Sequence, residues 1–460
     1  MSVTLKLVKK IVRTRFENLP SKTIKTTKKC VLDTLGAMIA GTSALGCSTV
    51  VNLVKEWGGK HESTIMIYGV KAPAHHVALA NAMMARARDI DDVNTLASVH
   101  VSATTVPVGL CMAEKEKASG KDLILAIALG ADLLSRMALA NKIPPGISGM
   151  NATWQCGTFA AAATAGKILD LDDDQMLNAL GIAYSQVAGN SQAMVEGALT
   201  VRLQQGLSAK SGILAAEFAQ KGITGAKEAL EGKFGYYNVY QRGEYDPSKL
   251  TEKLDKEFKG DFVSFKKYPC CMHTHAAIDA ILKLAREKKI QPEDIQEITV
   301  YVNEQAYYFT CYPLERKRTP QSIVDAQFSL PYVVATAIVK GDVFINDFSE
   351  ESINDPKVLE VASKVKPRIF LDERKAKGKE ISPSTVKIKT MNGKVLSKSV
   401  KFFKGHYRNP LSTSEIIKKF EKCVLYSIKP LSKENIKKIV RTIMELEKIG
   451  DVTELIELVT

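Results

Sequence analysis

The sequence predicts a mainly α-helical protein that has a large all-helical domain and a smaller α+β domain inserted into it. Three observations support this prediction. Apolar residues recur at helical spacing through residues 1–262, and the same pattern returns in residues 404–460. Between them, in residues 263–403, β-rich runs alternate with helical runs. The 460-residue chain is 45% hydrophobic and 25% charged, which is typical of globular proteins with more than one core.

The N-terminal segment is predicted to form the first helix, because Leu5, Val8, Ile11 and Val12 fall at helical spacing. This segment is also basic and has no acidic residue as far as Phe16, a composition that organellar transit peptides share. The regular spacing of the apolar residues favours a structural helix.

Further helical segments precede the inserted domain. They lie around Val31–Ile39, from near Pro73 to the acidic residues at 89–92, at Leu123–Leu134, and at Thr158–Gly166. The longest apolar run, Leu123–Leu134, is interrupted by Asp132. It therefore falls short of the roughly 18 apolar residues of a membrane span and predicts a buried helix. The small residues of Thr158–Gly166 predict a central helix that a neighbour approaches closely, and Asp246-Pro247 predicts a helix that reaches about Phe258.

The inserted domain shows predicted strands and helices in alternation. The strands are Glu297–Val302, Arg368–Asp372, Thr385–Thr390 and Val395–Phe402. The helices are Ala276–Lys288, Pro320–Lys340 and Pro356–Val365. Asn392-Gly393, between the last two strands, predicts a hairpin. After this domain, Ser412 and Glu415 have the spacing of a capping box, which predicts a helix in the C-terminal segment.

The chain carries a formal net charge of +14 at pH 7. Such a balance is compatible with nucleic acid, an acidic membrane surface or small anionic substrates as partners. The lysines are spread along the chain without an aromatic-interleaved patch or a recognition motif, so we expect neither nucleic acid nor a membrane. The eight cysteines form no CxxC pair, which favours a reducing cytoplasm.

The segment from Lys266 to His275, KKYPCCMHTH, combines amines, thiols, imidazoles and a phenol. A segment that filled a core would be apolar, and a simple connection would favour Gly, Ser and Asp, so this mixture indicates chemistry. The adjacent cysteines and the one-residue spacing of the histidines fit neither the CxxC nor the HxxxH pattern, so we predict no metal. No nucleotide-binding glycine motif follows a predicted strand, and we predict no cofactor.

The second candidate is the acidic group Asp89-Ile90-Asp91-Asp92, which His100 follows. Three carboxylates within four residues repel each other unless cations lie nearby or one pKa is raised. The simpler interpretation is a solvated acidic helix end with an unrelated histidine. The alternative is a carboxylate that orients a catalytic imidazole.

Several motifs together resemble the MmgE/PrpD family, whose members eliminate water or CO₂ from carboxylic acids or epimerise them. They occur in the family's order along almost the whole chain: Phe16-Glu17-Asn18-Leu19-Pro20, Leu32-Asp33-Thr34-Leu35-Gly36, Asp89-Ile90-Asp91-Asp92 with His100, Tyr268-Pro269-Cys270-Cys271 with Thr274-His275, Phe328-Ser329-Leu330-Pro331-Tyr332, and Gly405-His406 with Asn409-Pro410. Their number and order make the resemblance specific.

The resemblance implies a homodimer, a lid formed by the inserted domain, and a pocket between the lid and the helical domain that works without metal or nucleotide. It implies that His100 is the acid–base imidazole and that Asp89 is the carboxylate that orients it. Lys266 resembles the lysine that precedes the Pro-Cys turn. Tyr332 resembles the phenol of the lid helix.

The chain departs from the decarboxylase-like branch of the family at several positions. Asn151 stands where many members have a histidine. Val201 replaces a lysine, Gln204 replaces a second histidine, and Val93 replaces a common threonine. Neutral amides can hold a substrate but cannot exchange protons at neutral pH. Arg202, next to Val201, restores the positive charge if its side chain turns inward.

We therefore expect a cofactor-independent lyase, a dehydratase or decarboxylase, that abstracts a proton next to a carboxylate of a small anionic acid. His100 and Lys266 would exchange protons with the substrate. The candidates for substrate binding are Asn151, Arg202, Gln204, Lys267 and His275. Two alternatives stay open: an epimerase or isomerase of a related acid, and a catalytically degenerate family member with a binding role.

Overall fold

The computed structural model describes residues 2–143, 148–376 and 383–460. The chain forms two compact units. The first consists of Met1–Ser191, Arg202–Val263 and Ser412–Thr460, and the second consists of Gln192–Val201 and Ser264–Leu411. The domain limits that the sequence predicts, 1–262 with 404–460 and 263–403, stay a prediction. The role of the second unit as a lid stays a prediction.

The first unit is built mainly from helices, as the apolar spacing predicts. These are Val3–Arg13, Ser21–Gly41, Cys47–Trp57, Ala74–Ala87, Ser102–Glu116, Gly120–Ala140, Ala152–Ile168, Asp173–Tyr184, most of Thr200–Gln220, Tyr236–Tyr240, Ser248–Thr251, Thr413–Val424, Lys433–Met444 and Thr453–Glu457. The C-terminal helix Thr413–Val424 begins with the predicted capping box, in which Glu415 N donates to Ser412 Oγ at 3.2 Å.

The centre of the first unit is the pair of helices Gly120–Ala140 and Ala152–Ile168. The first is long and apolar enough to span a membrane by length and composition, but 94% of its most apolar window is buried inside the protein. It is the predicted buried helix. Small residues let the two helices approach closely, because a Cβ at Gly130 would lie 2.0 Å from Thr164 Oγ1.

Two details of the helical unit differ from the prediction. The unit is not all-helical, because β1, Ser63–Ile65, pairs antiparallel with β2, Val70–Ala72. Strands of three residues are too short to show an alternating pattern in the sequence.

The helix predicted from Asp246 to Phe258 is a single turn, Ser248–Thr251, after which Lys253 takes a positive φ of 48° that ends helical geometry. Two further short strands are β3, Val93–Asn94, and β4, Val263–Ser264.

The second unit contains a four-stranded sheet in the order β6-β5-β7-β8, with β5 at Ile295–Val302, β6 at Val365–Ile369, β7 at Ser384–Thr390 and β8 at Val395–Val400. β5 is parallel to β6 and antiparallel to β7. The predicted hairpin is confirmed: β7 and β8 pair antiparallel, and Gly393 in their connection has φ 81°, which glycine adopts without steric cost. Its helices are Gln192–Glu196, His275–Lys288, Glu304–Thr310, Leu314–Arg318, Ile323–Gln327, Leu330–Lys340, Pro356–Ser363 and Glu373–Ala376.

Two predicted elements of this unit have different limits in the structure. The helix Pro320–Lys340 is two helices, because Ser329 has extended backbone and caps a new helix whose first turn contains Pro331. The strand predicted at Arg368–Asp372 is Val365–Ile369. Pro367 obscures it in the sequence, but β6 lies at the edge of the sheet, where a missing N–H is tolerated.

Gly212→Ala should destabilise the protein by about 1–3 kcal/mol. The added Cβ would lie 2.2 Å from Ala161 Cβ and 2.6 Å from the Ala162 backbone nitrogen, so two helices would have to move apart. Gly450→Ala is the matched control, since a Cβ there meets no atom within 4 Å of the described part of the chain. Chemical denaturation should show a loss for Gly212→Ala and almost no change for Gly450→Ala; equal stabilities would contradict the close approach.

Candidate active site

The acidic loop that follows the helix Ala74–Ala87 is fully buried, so it is not a solvated helix end. Asp89, Asp91 and Asp92 are each 0–1% exposed. Asp89 has φ 51°, a left-handed conformation that Asp tolerates better than most residues, and this reverses the chain after the helix. Arg86, in the last turn of the helix, forms an ion pair with Asp89 and lies 3.6 Å from Asp91. The cation that the crowded carboxylates require is therefore supplied by the preceding turn.

His100 is oriented by Asp91. Its Nδ1 lies 2.7 Å from Asp91 Oδ2, and its backbone N–H donates to Thr153 Oγ1 at 3.2 Å. The structure shows this hydrogen bond with Asp91, whereas the family resemblance predicts Asp89 as the orienting carboxylate. The role of Asp89 stays a prediction. Of the two interpretations of the acidic group, the geometry agrees with a carboxylate that orients an imidazole.

A buried ion pair contacts the backbone of the acidic loop and stabilises it. Lys419, in the helix Thr413–Val424, donates to Asp33 Oδ1 at 2.6 Å and to the backbone oxygen of Ile90 at 2.7 Å. Asp92 accepts from Ser102 N at 3.1 Å, at the start of the helix Ser102–Glu116. Burial, together with the carboxylates of Asp33 and Asp91, raises the pKa of Asp92 to about 7.

The substrate-binding candidates of the first unit occupy different settings. Arg202 is buried, as its proposed inward turn requires, and its Nη1 donates to the Leu45 backbone oxygen at 3.2 Å. Burial lowers the pKa of Arg202 to about 10, with electrostatic contributions from Arg86 and Asp89 among others, so it stays protonated at pH 7. The structure therefore brings Arg202 into the electrostatic neighbourhood of the acidic loop.

The two amides that replace histidines in the family pattern both bind backbone groups. Asn151 caps the helix Ala152–Ile168, and its Oδ1 accepts from Thr153 N at 3.0 Å. Gln204 accepts from Asn190 N at 2.9 Å and donates to Asn190 O at 3.3 Å. Substrate binding by Gln204 stays a prediction, and in this structure both the oxygen and the nitrogen of its amide bind the backbone of Asn190. Asn151 supports the site indirectly, since Thr153 also contacts His100.

In the second unit, Lys266 and His273 lie together inside the protein. Lys266 is 0% exposed and His273 is 6% exposed. Burial, together with the positive charge of Lys266, lowers the pKa of His273 to about 4, so this imidazole is neutral at pH 7. The segment is held at its start by Phe265 N, which donates to Gly405 O at 2.9 Å. A Cβ at Gly405 would lie 2.1 Å from the Phe265 oxygen, which explains the glycine of the Gly405-His406 motif.

The other candidates of the Lys266–His275 segment have structural contacts. Lys267 is exposed, and its Nζ donates to Tyr268 Oη at 3.1 Å. His275 is buried at the start of the helix His275–Lys288, where Nε2 lies 3.3 Å from Cys270 O and the ring packs between Tyr268 and Phe403. Their roles in substrate binding stay predictions, and for His275 the packing between two rings accounts for its conformation.

The phenol of Tyr332 contacts two backbone carbonyls. Its hydroxyl donates to Asp347 O at 2.5 Å and lies 3.1 Å from Ser352 O, so two backbone carbonyls engage the phenol. Burial raises the pKa of Tyr332 well above its ordinary value, which disfavours the phenolate. A catalytic role for Tyr332 stays a prediction, and in this structure its hydroxyl contacts the two backbone carbonyls.

Sequence reasoning missed the roles of Arg86, Asp91 and Thr153. Arg86 lies in a mainly apolar helical run, and such an arginine just before an acidic group indicates a buried ion pair. Asp91 was visible in the motif but could not be told from Asp89 by spacing. Thr153 carried no pattern of its own. In the described ranges, no cluster of three or more His, Cys, Asp or Glu side chains is arranged to hold a metal ion.

These features define a mainly helical protein with a buried carboxylate–imidazole pair. Residues 5–248 match the MmgE/PrpD N-terminal domain, and residues 268–445 match the MmgE/PrpD C-terminal domain. The chain belongs to the MmgE/PrpD family.

Relatives of known name span almost the whole chain. Cis-aconitate decarboxylase of Aspergillus terreus (strain NIH 2624 / FGSC A1156) is 26% identical over 464 residues, which cover 96% of this chain and 92% of the relative. Cis-aconitate decarboxylase of Homo sapiens is 28% identical, and the match covers 94% of this chain and 89% of the relative. The mitochondrial 2-methylcitrate dehydratase of Yarrowia lipolytica (strain CLIB 122 / E 150) is 24% identical, and the match covers 87% of this chain and 80% of the relative.

Asp92→Asn should stabilise the protein at pH 8 but not at pH 4. The folded-state pKa of Asp92, about 7, lies above its ordinary value of 3.8. The folded wild type therefore binds more protons than the unfolded chain between these values, and its stability falls as the pH rises from 4 to 7. The amide keeps the acceptor for Ser102 N without the charge. Unfolding free energies measured from pH 4 to 8 should diverge by on the order of a few kcal/mol.

The control for Asp92→Asn is Glu228→Gln, which removes one negative charge from an exposed side chain. Its stability should follow that of the wild type at every pH. A constant difference between Asp92→Asn and wild type across the range would contradict the raised pKa.

Tyr332→Phe should lower the unfolding free energy by about 1–3 kcal/mol, because the carbonyls of Asp347 and Ser352 lose their donor. Denaturant titration measures this loss. If Tyr332 also acts on substrate, kcat of the folded variant falls by far more than stability explains. Turnover that is unchanged in the folded variant would establish the structural role.

Proposed function

We propose that this protein is a lyase that acts on a polycarboxylic acid by transferring a proton at a carbon next to a carboxylate. The observation that carries the proposal is the 2.7 Å contact between Asp91 and His100 in a buried polar loop. Membership of the MmgE/PrpD family and the names of the relatives, cis-aconitate decarboxylase and 2-methylcitrate dehydratase, support the reaction class and the kind of substrate.

The Asp91–His100 pair suits proton transfer because it fixes the imidazole. Asp91 accepts the Nδ1 proton, so the opposite nitrogen, Nε2, is the one that exchanges a proton with the substrate. The buried carboxylate also stabilises the imidazolium that forms when Nε2 takes a proton. His100 is 17% exposed at its side chain, whereas Asp91 is 0% exposed, as expected for a reacting group held by a buried one.

Dehydration and decarboxylation both require an acid–base group such as the imidazole of His100. Dehydration removes a proton next to a carboxylate and releases hydroxide as water, and decarboxylation releases CO₂ and returns a proton to carbon. Both build an enolate-like charge that nearby cations stabilise. In the first unit, Arg202 stays protonated and buried close to the loop, which suits it to hold an anionic group.

Lys266 is proposed to take part in the same reaction as an acid–base group or as a fixed positive charge. Its complete burial supports this role, because a buried ammonium interacts strongly with a developing negative charge. The chemistry invokes no metal or nucleotide. A homodimer and a cytoplasmic location also stay predictions.

His100→Ala and Asp91→Asn should each reduce kcat by about 10²-fold or more, because the first removes the acid–base group and the second removes its partner. Lys266→Met should have an effect of similar size. The assay offers cis-aconitate and 2-methylcitrate to the purified enzyme and follows CO₂ release and the loss or gain of the C=C absorbance, which separates decarboxylation from dehydration.

His61→Ala is the control for these variants, because His61 is exposed and lies outside the acidic loop. It should retain full turnover. Circular dichroism must show each variant folded. Full activity of His100→Ala on a substrate that the wild type converts would remove the proposed mechanism, and exchange of substrate hydrogen in D₂O without net product would favour an epimerase.

A further inference from the structure

One short segment of the chain passes from the first compact unit into the second and back. Residues Gln192–Val201 belong to the second unit, although the chain up to Ser191 and again from Arg202 belongs to the first. Within residues 192–200 only Ala193 is buried, so apolar burial contributes little to the position of this connecting segment. Its position therefore depends on its hydrogen bonds.

Side chains of the second unit bind the backbone of the connecting segment. Arg316 Nη2 donates to Glu196 O at 2.7 Å. Ser322 Oγ donates to Gly197 O at 3.2 Å. Arg316 is itself held by Asp325, whose Oδ2 accepts from Nε at 3.0 Å and from Nη2 at 2.9 Å and whose side chain is 0% exposed. A guanidinium fixed by a buried carboxylate presents its remaining N–H groups in fixed directions.

The hydrogen bonds continue along the connecting segment toward Arg202. Ala198 N donates to Ala193 O at 2.8 Å, and Val201 N donates to Ala198 O at 3.2 Å. Arg202 follows directly, in the first turn of the helix that begins at Thr200. The N–H groups of a first turn have no acceptor within their own helix, so the preceding segment decides where this turn lies.

The ends of the connecting segment adjoin three residues that the sequence predicts to bind substrate. Arg202 follows one end and is buried. Before the other end, Asn190 is bonded through both its N–H and its oxygen to Gln204, and Asn151 N donates to Gly189 O at 3.3 Å. Of the three, only Arg202 carries a charge. The binding of an anionic group therefore depends on Arg202 more than on the two amides.

We propose that Arg316 is a positioning residue of the substrate site: it holds the connecting segment, which fixes the helical turn that carries Arg202, and Arg202 binds an anionic group of the substrate. The inference rests on the proposed function, which assigns an acidic substrate. It deepens that function by naming a residue that acts through Arg202. The role of Arg316 does not require contact with the substrate.

Gly197→Ala tests the position of the connecting segment and leaves Arg316 unchanged. Gly197 has φ 72°, and an added Cβ would lie 2.7 Å from Ser322 Oγ and 3.0 Å from Asp325 Cγ, so the segment must move. The probe is tricarballylate, a tricarboxylate without the hydroxyl group or the double bond that the two reactions use. Calorimetric titration of the full-length protein should show about 10-fold weaker binding than to the wild type.

The matched control for Gly197→Ala is Gly222→Ala. Gly222 also has a positive φ, 89°, but an added Cβ there meets no atom within 4 Å in the described part of the chain. The two substitutions therefore carry a similar backbone cost, and only the first displaces the connecting segment. Gly222→Ala should bind tricarballylate with the wild-type affinity.

Arg316→Met removes the donor to Glu196 O and should also weaken tricarballylate binding about 10-fold. In this variant and in Gly197→Ala, hydrogen exchange at the amides of Ala198 and Val201 should be faster than in the wild type. Arg368→Met removes an arginine from an exposed position of the same unit and should change neither readout. If Arg316→Met does not fold, Gly197→Ala, which keeps the ion pair of Arg316, decides the outcome.

A double-mutant cycle with Arg202→Met separates positioning from a general loss of structure. If Arg316 and Gly197 act through Arg202, their substitution in the Arg202→Met background should change tricarballylate affinity by less than about 2-fold. Losses of the same factor in both backgrounds would overturn the inference. So would folded Gly197→Ala and Arg316→Met proteins that bind the probe as tightly as the wild type.

Turnover measured beside binding separates this inference from the proposed function. The two variants should raise KM about 10-fold and keep kcat within about 3-fold, because Arg202 binds the substrate and does not exchange its proton. If the wild type converts a polycarboxylate and both variants keep its KM, the inference fails alone. If it converts neither cis-aconitate nor 2-methylcitrate but binds tricarballylate through Arg202, the proposed reaction fails and the positioning role stands. A wild type that binds no tricarballylate contradicts both.

Discussion

The geometry of the acidic loop depends on one buried ion pair, between Lys419 and Asp33. The ammonium of Lys419 also donates to the Ile90 backbone oxygen, so it fixes the loop at its middle residue. Lys419 is 7% exposed and its side-chain partner is fully buried, which makes the interaction insensitive to salt. Because Asp91 follows Ile90 directly, the position of the His100 partner is set by a lysine more than 300 residues away in sequence.

This arrangement separates three neighbouring carboxylates by giving each a different environment. Asp89 has the guanidinium of Arg86, and Asp91 has the imidazole of His100 with Arg86 at a greater distance. Asp92 accepts from the N–H of Ser102, and burial together with the carboxylate of Asp33 raises its pKa to about 7. Like charges so close together cannot all ionise without cost, which agrees with the raised pKa of Asp92, about 7.

The sequence predicted helices, strands and caps where local chemistry decides them. Apolar spacing identified the helix Ala74–Ala87 and the buried helix Gly120–Ala140, and Asn392-Gly393 identified a hairpin. The sequence prediction failed for elements that depend on contacts between distant segments. Examples are the three-residue strands β1 and β2 and the strand that contains Pro367. The spacing of apolar residues indicates a helix or a strand, but it does not indicate which distant backbone group a side chain will contact.

The same limit explains the candidate site. His100 and the acidic group were predicted from residue type, but spacing alone cannot decide whether Asp89 or Asp91 faces the imidazole, because a left-handed residue lies between the helix and the pair. Likewise, Tyr332 and Gln204 have side chains typical of binding sites, yet both are engaged by backbone groups. Such assignments depend on contacts with residues that are distant or featureless in sequence, such as the carbonyls of Asp347 and Ser352.

Folding alone explains some of the buried charges of this chain but not others. An ion pair such as Lys419–Asp33 holds elements together, so its charges need no ligand. Asp92, with its raised pKa, lowers the stability of the folded state at neutral pH, and an amide in its place would satisfy Ser102 equally well. A group that costs stability while an uncharged substitute would serve the fold is the kind of group that function retains. By that criterion, folding alone does not explain why residue 92 is a carboxylic acid.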